Sequence, residues 1–407
     1  MNQEAIKKQL LKEIRQLKSK EGFLYAGLPH MKGLFGRDSL ISAWQLLDYD
    51  PKIAKDTLKI LAKAQGKKID LETEEEPGKI LHEFYPKNTP DSWWNKHRAR
   101  FKWLKRGKAI YKSIDSTLLF IIIAGKYFDK TKDFDFVKKI FPNIERAISW
   151  IFKYGDMDGD GFIEYEKKAK LGMYHMAWKD REENHLNIDA PVAIVEVQGY
   201  AYLAFTEAAK LAKIFGKSAL EKKLLSKAQY LKKKFNEKFW MRREKYFCMA
   251  LNGKKNQRKA ITSNPGHLLF TGILEQDKID LVVKHLFASD MWTPYGIRTH
   301  SEKEPDFDAK SYHLGSIWPH DNWIIAQGLN DLGYNNEYKK IKKALLLAFE
   351  NLGLVPELYI VINNKIAMKG EDKIAYPQAW ATGALFSFLE DKNDIHHSRN
   401  IKLSKRE

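Results

Sequence analysis

The chain reads as an all-α protein, an (α/α)6 barrel: a toroid of about twelve helices with the long loops gathered at one end, where a site would lie. Three observations predict this. Apolar residues recur at helical spacing in about a dozen segments, while strand-like alternation is scarce. Short connections alternate with long ones, as expected when antiparallel helix pairs stack in a ring. The segments follow no constant repeat length, which excludes a helical-repeat solenoid.

The elements follow in order. The segment 4–19 is charged, with an apolar stripe of Ile6, Leu10, Leu11, Ile14 and Leu17. A helix over 38–47 starts at Asp38, a good N-cap, after Gly36 and Arg37. Helices over 51–65, 115–129 and 133–153 follow. The third of these four, 115–129, opens at Asp115 and holds the longest obvious apolar run, Leu118 to Ala124, too short to cross a membrane. The segment 190–214 is apolar but interrupted by Glu196, Gln198 and Tyr200. Either one end of it lines a polar cavity, or these are buried polar groups with partners. Lysines mark the solvent face of 218–237, and 264–272, 276–286, 316–332, 335–351 and 376–390 complete the set. Tyr359 to Ile366, around Asn363-Asn364, reads as a hairpin, and a second is expected at Lys245 to Leu251. The loops 22–37, 66–114, 154–189, 287–315 and 352–375 are long and rich in aromatics, so ordered function is expected of them. One domain is expected over 1–390, with a loose basic tail over 391–407 that includes Ile395, His396 and His397.

Composition narrows the class. A chain of 407 residues, 44% hydrophobic and 30% charged, can bury a large core. The N-terminal segment lacks the apolar core of an export signal, and a single cysteine, Cys248, excludes an internal disulfide and a cysteine metal cluster. A cytoplasmic protein is expected, and the Lys- and Ile-rich composition fits one from a hot environment. The net charge of +18 would suit a nucleic-acid binder, but Lys222, Lys223, Lys227 and Lys232 to Lys234 read as a solvated helix face. Nucleic acid is therefore disfavoured as a partner, a membrane is not expected, and the oligomeric state is left open.

The densest polar segment is Ser311 to Asn322, with Tyr312, His313, Trp318, His320, Asp321 and Asn322. Tryptophan and tyrosine stack on the C–H faces of a sugar, and Asp, Asn and His pair with its hydroxyls. Two carboxyls stand among apolar neighbours. Asp180 follows Trp178, and burial there would raise its pKa toward that of a general acid, the alternative being a salt bridge with Lys179 or Arg181. Glu357 lies in the apolar run Leu354 to Tyr359, a poor place for an unpaired carboxylate. Arg37 with Asp38, His82 with Glu83, and Asp115 are polar groups at loop-to-helix junctions.

Asp156, Asp158, Asp160 and Glu164 match the first part of a calcium loop, but Lys167 stands where the bidentate glutamate belongs. The segment therefore either holds a structural calcium with help from a distant ligand or is simply a tight Asx-rich turn. The insertion 93–112 mixes aromatics and cations (Trp93, Trp94, Lys96, His97, Arg98, Arg100, Trp103, Lys105, Arg106, Lys108), suited to an extended sugar groove, an oligomer contact or single-stranded nucleic acid.

Nine blocks then fall in a familiar order: Phe35-Gly36-Arg37-Asp38-Ser39, Gly78 to Glu83, Asp115-Ser116-Thr117, Asp158 to Tyr165, Trp178-Lys179-Asp180, Val195 to Tyr200, Ser311 to Asn322, Pro356-Glu357-Leu358 and Pro377-Gln378-Ala379-Trp380. With these the chain resembles the catalytic domain of the glycogen-debranching (amylo-α-1,6-glucosidase) group of inverting glycosidases, relatives of glucoamylases, whose fold is the same barrel. The resemblance implies that Asp180 is the general acid and Glu357 the general base. It also implies that Arg37, Asp38, His82, Trp178, Gln198, His313, Trp318, His320, Asp321 and Trp380 line the glucose subsite. No cofactor is required, and calcium, if bound, is structural. An inverting pair stands about 6.5–9.5 Å apart to admit water. Two departures bear on the leaving group: Arg181-Glu182-Glu183-Asn184 follows the acid where the family often has serine, and the insertion 93–112 is long and basic. The leading expectation is an inverting α-glucosidase of the amylo-α-1,6-glucosidase type acting on α-glucan. The alternatives are a hydrolase of a small α-glycoside (trehalose, glucosyl- or mannosylglycerate) and a non-catalytic barrel that binds carbohydrate or nucleic acid.

Overall fold

The computed structural model describes residues 3–91, 94–95, 101–368 and 375–391. Trp93, Lys96, His97, Arg98 and Arg100 of the insertion, and the expected tail from residue 392 on, with Ile395, His396 and His397, lie outside the described residues.

The described residues form an all-α barrel. Its inner ring consists of α2 (Gly36–Gln45), α4 (Asp115–Thr131), α6 (Val195–Ile214), a 3-10 turn (Asn264–Leu268), α9 (Pro319–Asp331) and α11 (Ala379–Glu390). Each packs on the next in that order, and α11 returns to α2, so the ring closes. The outer partners are α1 (Gln3–Leu17), α3 (Pro51–Lys63), α5 (Phe134–Trp150), α7 (Ser218–Lys238), α8 (Gln276–Leu286) and α10 (Asn335–Leu352). The two layers differ as their sequences require. Every residue from Asp115 to Gly125 on α4 is buried, whereas α10 buries only a stripe that includes Tyr338, Ile341, Ala344, Leu345, Ala348 and Phe349. Burying such a stripe stabilises by about 1.5–3 kcal/mol per large apolar side chain, an upper bound that chain entropy offsets.

The expected helix at 264–272 is instead a 3-10 turn, because Pro265 and Gly266 break the α pattern and Gly266 packs against Ile325. The hairpin at the C-terminal end forms as its Asn-Asn turn predicts: Tyr359–Ile362 pairs with Lys365–Met368, and Asn363 and Asn364 both have positive φ. The second expected hairpin is displaced. Tyr246–Phe247 pairs back with Trp240–Met241 through a turn at Lys245 (φ 51), while Ala250–Leu251 joins Ala193–Ile194 and Gln257–Arg258.

The first turns of the inner elements meet one another. Arg37 bonds Asp115, Asn264 bonds Glu196, His267 bonds Asp321, His320 stacks on Trp380, and Gln378 bonds Asp38. The inner helices therefore present their N-terminal ends to one place, where their partial positive charge favours anionic groups. The long loops precede these ends, which is why they converge there.

Candidate active site

A cavity of about 320 Å3 opens at this end of the barrel. Its walls come from segments far apart in sequence. Leu34–Phe35 pairs with Glu83–Phe84, and Gly36 N donates to His82 O at 2.9 Å, so Arg37, Asp38, His82 and Glu83 are set side by side. Gly36 is needed for this approach: a Cβ there would sit 2.2 Å from Leu81 O and 2.8 Å from Ser116 Oγ. A β-bridge between Ile317 and Tyr359 brings Trp318 and Glu357 to the same cavity.

Arg37 is the electrostatic centre. Its Nε donates to Asp115 Oδ2 at 2.6 Å and its Nη1 to Asp180 Oδ2 at 2.8 Å. Burial works against the guanidinium's charge, but the two neighbouring carboxyl groups outweigh it and raise its pKa above the usual value. Asp180 reaches the cavity with a side chain 20% exposed. Burial raises its pKa, and Arg37 opposes that rise. Glu357 is buried and pushed up to about 8, chiefly by burial; a 2.6 Å hydrogen bond from the Tyr312 hydroxyl works against this, and the charge of Asp38 works with it. Burial likewise lifts Asp38 to about 7 against the pull of Arg37, and Glu83 to about 8 against the Trp103 indole, which donates to it at 3.1 Å. His82 is held well below its usual pKa by burial and by Arg37, so it is a neutral imidazole.

Aromatic rings form the other wall. Trp178 stands edge-on to His313, Trp318 and His320, and Trp318 stands edge-on to Trp380. The Trp318 indole is fixed by Tyr312 O at 2.9 Å and Ser316 Oγ at 3.1 Å. By contrast, Arg37 Nη2, His82 Nδ1, Trp178 Nε1, His313 Nε2 and Trp380 Nε1 are buried and make no hydrogen bond among the described residues. Unpaired polar atoms in a ring-lined cavity are what a hydroxyl-rich, C–H-faced ligand would pair with.

The structure brings together Arg37, Asp38, His82, Trp178, Asp180, His313, Trp318, Glu357 and Trp380 on one cavity. Three residues expected there do not line it. Gln198 clamps a neighbouring loop, accepting from Ile163 N at 2.9 Å and donating to Ile163 O at 2.8 Å and Ile194 O at 3.1 Å. Asp321 is buried and bonds His267 Nε2 at 2.7 Å. His320 lies behind Trp380, ring on ring at 3.8 Å. His320 thus backs Trp380, and Asp321 holds His267, which stacks on Trp178.

Sequence reasoning marks Glu83 only as a junction residue and misses His30, Met31, Tyr85 and Met173, all of which line the cavity. Their only signal is membership of long aromatic loops. The insertion contributes Phe101 and Trp103 to the lining, while Trp94, Trp103 and Leu104 pack with Tyr85 and Ile110 in a separate small core. Three of its described cations pair locally, Lys105 with Glu72, Arg106 with Asp91 and Lys108 with Asp70.

The loop of Asp156, Asp158, Asp160 and Glu164 brings three aspartates within ligand distance of one another. A cation already sits among them. Lys255 Nζ lies 2.9 Å from Asp158 and 3.4 Å from Asp160 and pairs with Glu164, while Lys234 reaches Asp160 at 3.2 Å. A calcium ion bound in this loop would have to displace this ammonium.

Among the described residues no helix is long and apolar enough to cross a membrane. Residues 33–359 match the family model of the mannosylglycerate hydrolase MGH1-like glycoside hydrolase domain. The mannosylglycerate hydrolase MGH1 of Selaginella moellendorffii is 27% identical over 86 residues, a match that spans 21% of this chain and 18% of the plant protein. Similar solved structures include the GH63 mannosylglycerate hydrolase from Thermus thermophilus in complex with Tris (TM-score 0.72, 14% identity, covering 95% of this chain and 100% of that one). The same enzyme in complex with glucose gives a TM-score of 0.73 at 14% identity over the same shares. At that identity the likeness carries the fold, the barrel described above. The family match covers most of the chain and includes eight of the nine sequence-predicted residues that line the cavity, all but Trp380. The chain belongs to the family of mannosylglycerate hydrolase MGH1-like glycoside hydrolase domains.

Proposed function

We propose that this protein is an inverting hydrolase of a small α-glycoside of the glycosylglycerate type. The observation that carries this reading is the size of the cavity and what walls it. At about 320 Å3 it lies at the small end of ligand pockets, and Phe101 and Trp103 of the insertion stand in its wall. That suits one sugar ring with a compact aglycone. The family match supports the same choice, and it favours the small-glycoside alternative over the amylo-α-1,6-glucosidase expected first.

In this reading Asp180 protonates the glycosidic oxygen as the C–O bond breaks. Glu357 takes a proton from a water that attacks the anomeric carbon from the opposite face, so the configuration inverts. Arg37 orients Asp180 and balances its charge. Tyr312 holds Glu357 in place through the 2.6 Å hydrogen bond. Trp178, Trp318 and Trp380 pack on the sugar's C–H faces, and the unpaired atoms of His82 and His313 receive hydroxyls. Asp38, Glu83, Asp180 and Glu357 perturb one another, so the apparent pKa values of the reaction belong to the group.

The test is NMR of the sugar first released when purified protein meets α-mannosylglycerate, α-glucosylglycerate, trehalose, maltose-type and isomaltose-type substrates. Initial β-anomer from a glycosylglycerate is the expected result. Initial α-anomer refutes the inverting pair, and turnover of the isomaltose-type substrate alone restores the debranching reading.

A further inference from the structure

We propose that Arg181 selects the aglycone, its guanidinium receiving the carboxylate of an anionic leaving group; this rests on the glycosylglycerate-type reading above. Arg181 directly follows Asp180, so its Cα stands about 3.8 Å from that of the group placed on the glycosidic oxygen. Its backbone is fixed: Tyr174 N and His175 N donate to Arg181 O at 2.7 and 3.1 Å, and His175 and Arg181 form a β-bridge. The side chain lines the cavity at its exposed side and makes no ion pair or side-chain hydrogen bond among the described residues.

Among the described residues, the nearby arginine and lysine that could also meet an anion are engaged elsewhere. Arg37, the other arginine of the lining, holds Asp115 and Asp180. Lys179 points away, donating to Thr299 O at 2.7 Å, and burial lowers it to about 8. Glu182 shares the mouth with Arg181 and does not pair with it. Burial and Glu183 raise its carboxyl, and Lys167 and Lys102 pull it the other way. With Asp38, Glu83 and Glu357 also lining the cavity, an anionic substrate needs a cation where its carboxylate comes to rest. An arginine does this with two parallel N–H bonds and a planar fork that fits a carboxylate.

The test compares kcat/KM for α-mannosylglycerate with that for uncharged α-mannosylglycerol, in the wild type and in Arg181→Gln, Arg181→Lys and Arg181→Glu. The ratio of the two is expected to fall about tenfold in Arg181→Gln, mostly through KM, to fall less in Arg181→Lys and further in Arg181→Glu. A ratio that does not move in Arg181→Gln, including equal losses on both substrates, overturns the role of Arg181 while the wild-type activity leaves the functional reading standing. A wild type that turns over neither compound overturns that reading, and this inference with it. The side chain is exposed, so thermal melting of each variant checks that the fold is kept.

Discussion

The Tyr312 hydroxyl donates a 2.6 Å hydrogen bond to Oε1 of Glu357, deep in the cavity wall. This bond favours the carboxylate form and opposes burial, and with both acting the pKa stands at about 8. A general base works only as the carboxylate, so kcat/KM should rise with pH toward about 8, as Glu357 loses its proton. In Tyr312→Phe the stabilising donor is gone and the pKa of Glu357 rises. The acidic limb of the profile should then move up by about one pH unit, as a pH series of kcat/KM would record.

Asp180 and Glu357 can be told apart by the leaving group. Fluoride needs no proton to depart. Asp180→Asn should lose roughly 10²–10⁴-fold on a natural glycoside yet keep most of its rate on the matching glycosyl fluoride. Glu357→Gln should lose on both. If Glu357→Gln is the variant spared on the fluoride, the two roles are exchanged.

Arg37 bridges two carboxylates while buried, with 3% of its side chain exposed. Removing it in Arg37→Ala leaves Asp115 and part of Asp180 unpaired, at a cost of about 3–5 kcal/mol in urea unfolding. Arg37→Lys places one ammonium where a fork was needed and should recover only part of that loss.

Lys255 lies among Asp158, Asp160 and Glu164. Chelator should leave the melting temperature of the wild type where it is. In Lys255→Gln the carboxylates lose their ammonium, and millimolar calcium should then raise the melting temperature. A chelator-sensitive wild type would show that calcium displaces the lysine.

Much of this is legible in the chain. Long 3.6-period segments place the α-helices within a few residues of where they form, because uniformly buried runs such as Leu118 to Ala124 permit little else. The helix expected at 264–272 fails, because Pro265 acts through backbone geometry that periodicity does not register. Residues with unusual neighbours, such as Glu357 in its apolar run, are legible as site candidates. Gln198, His320 and Asp321 are not separable from them by sequence, because a polar side chain one turn along an inner helix looks alike whether it faces a cavity or clamps the loop behind it. Lys255 is unreadable for another reason: it lies 91 residues from its partner Glu164, and only the fold brings them together.

The closed ring bears on when this protein becomes competent as it is made. Trp380 belongs to α11, the last inner helix, and stacks against His320 only after α11 docks between α9 and α2. A nascent chain still lacking that helix has both Asp180 and Glu357 but no finished wall for a sugar to rest on. Turnover is therefore a late event in biosynthesis, and a ribosome-stalled or C-terminally clipped chain that ends before residue 379 should be silent even where its first helices are folded. Enzymatic activity thus reports completion of the whole toroid, not of any part of it.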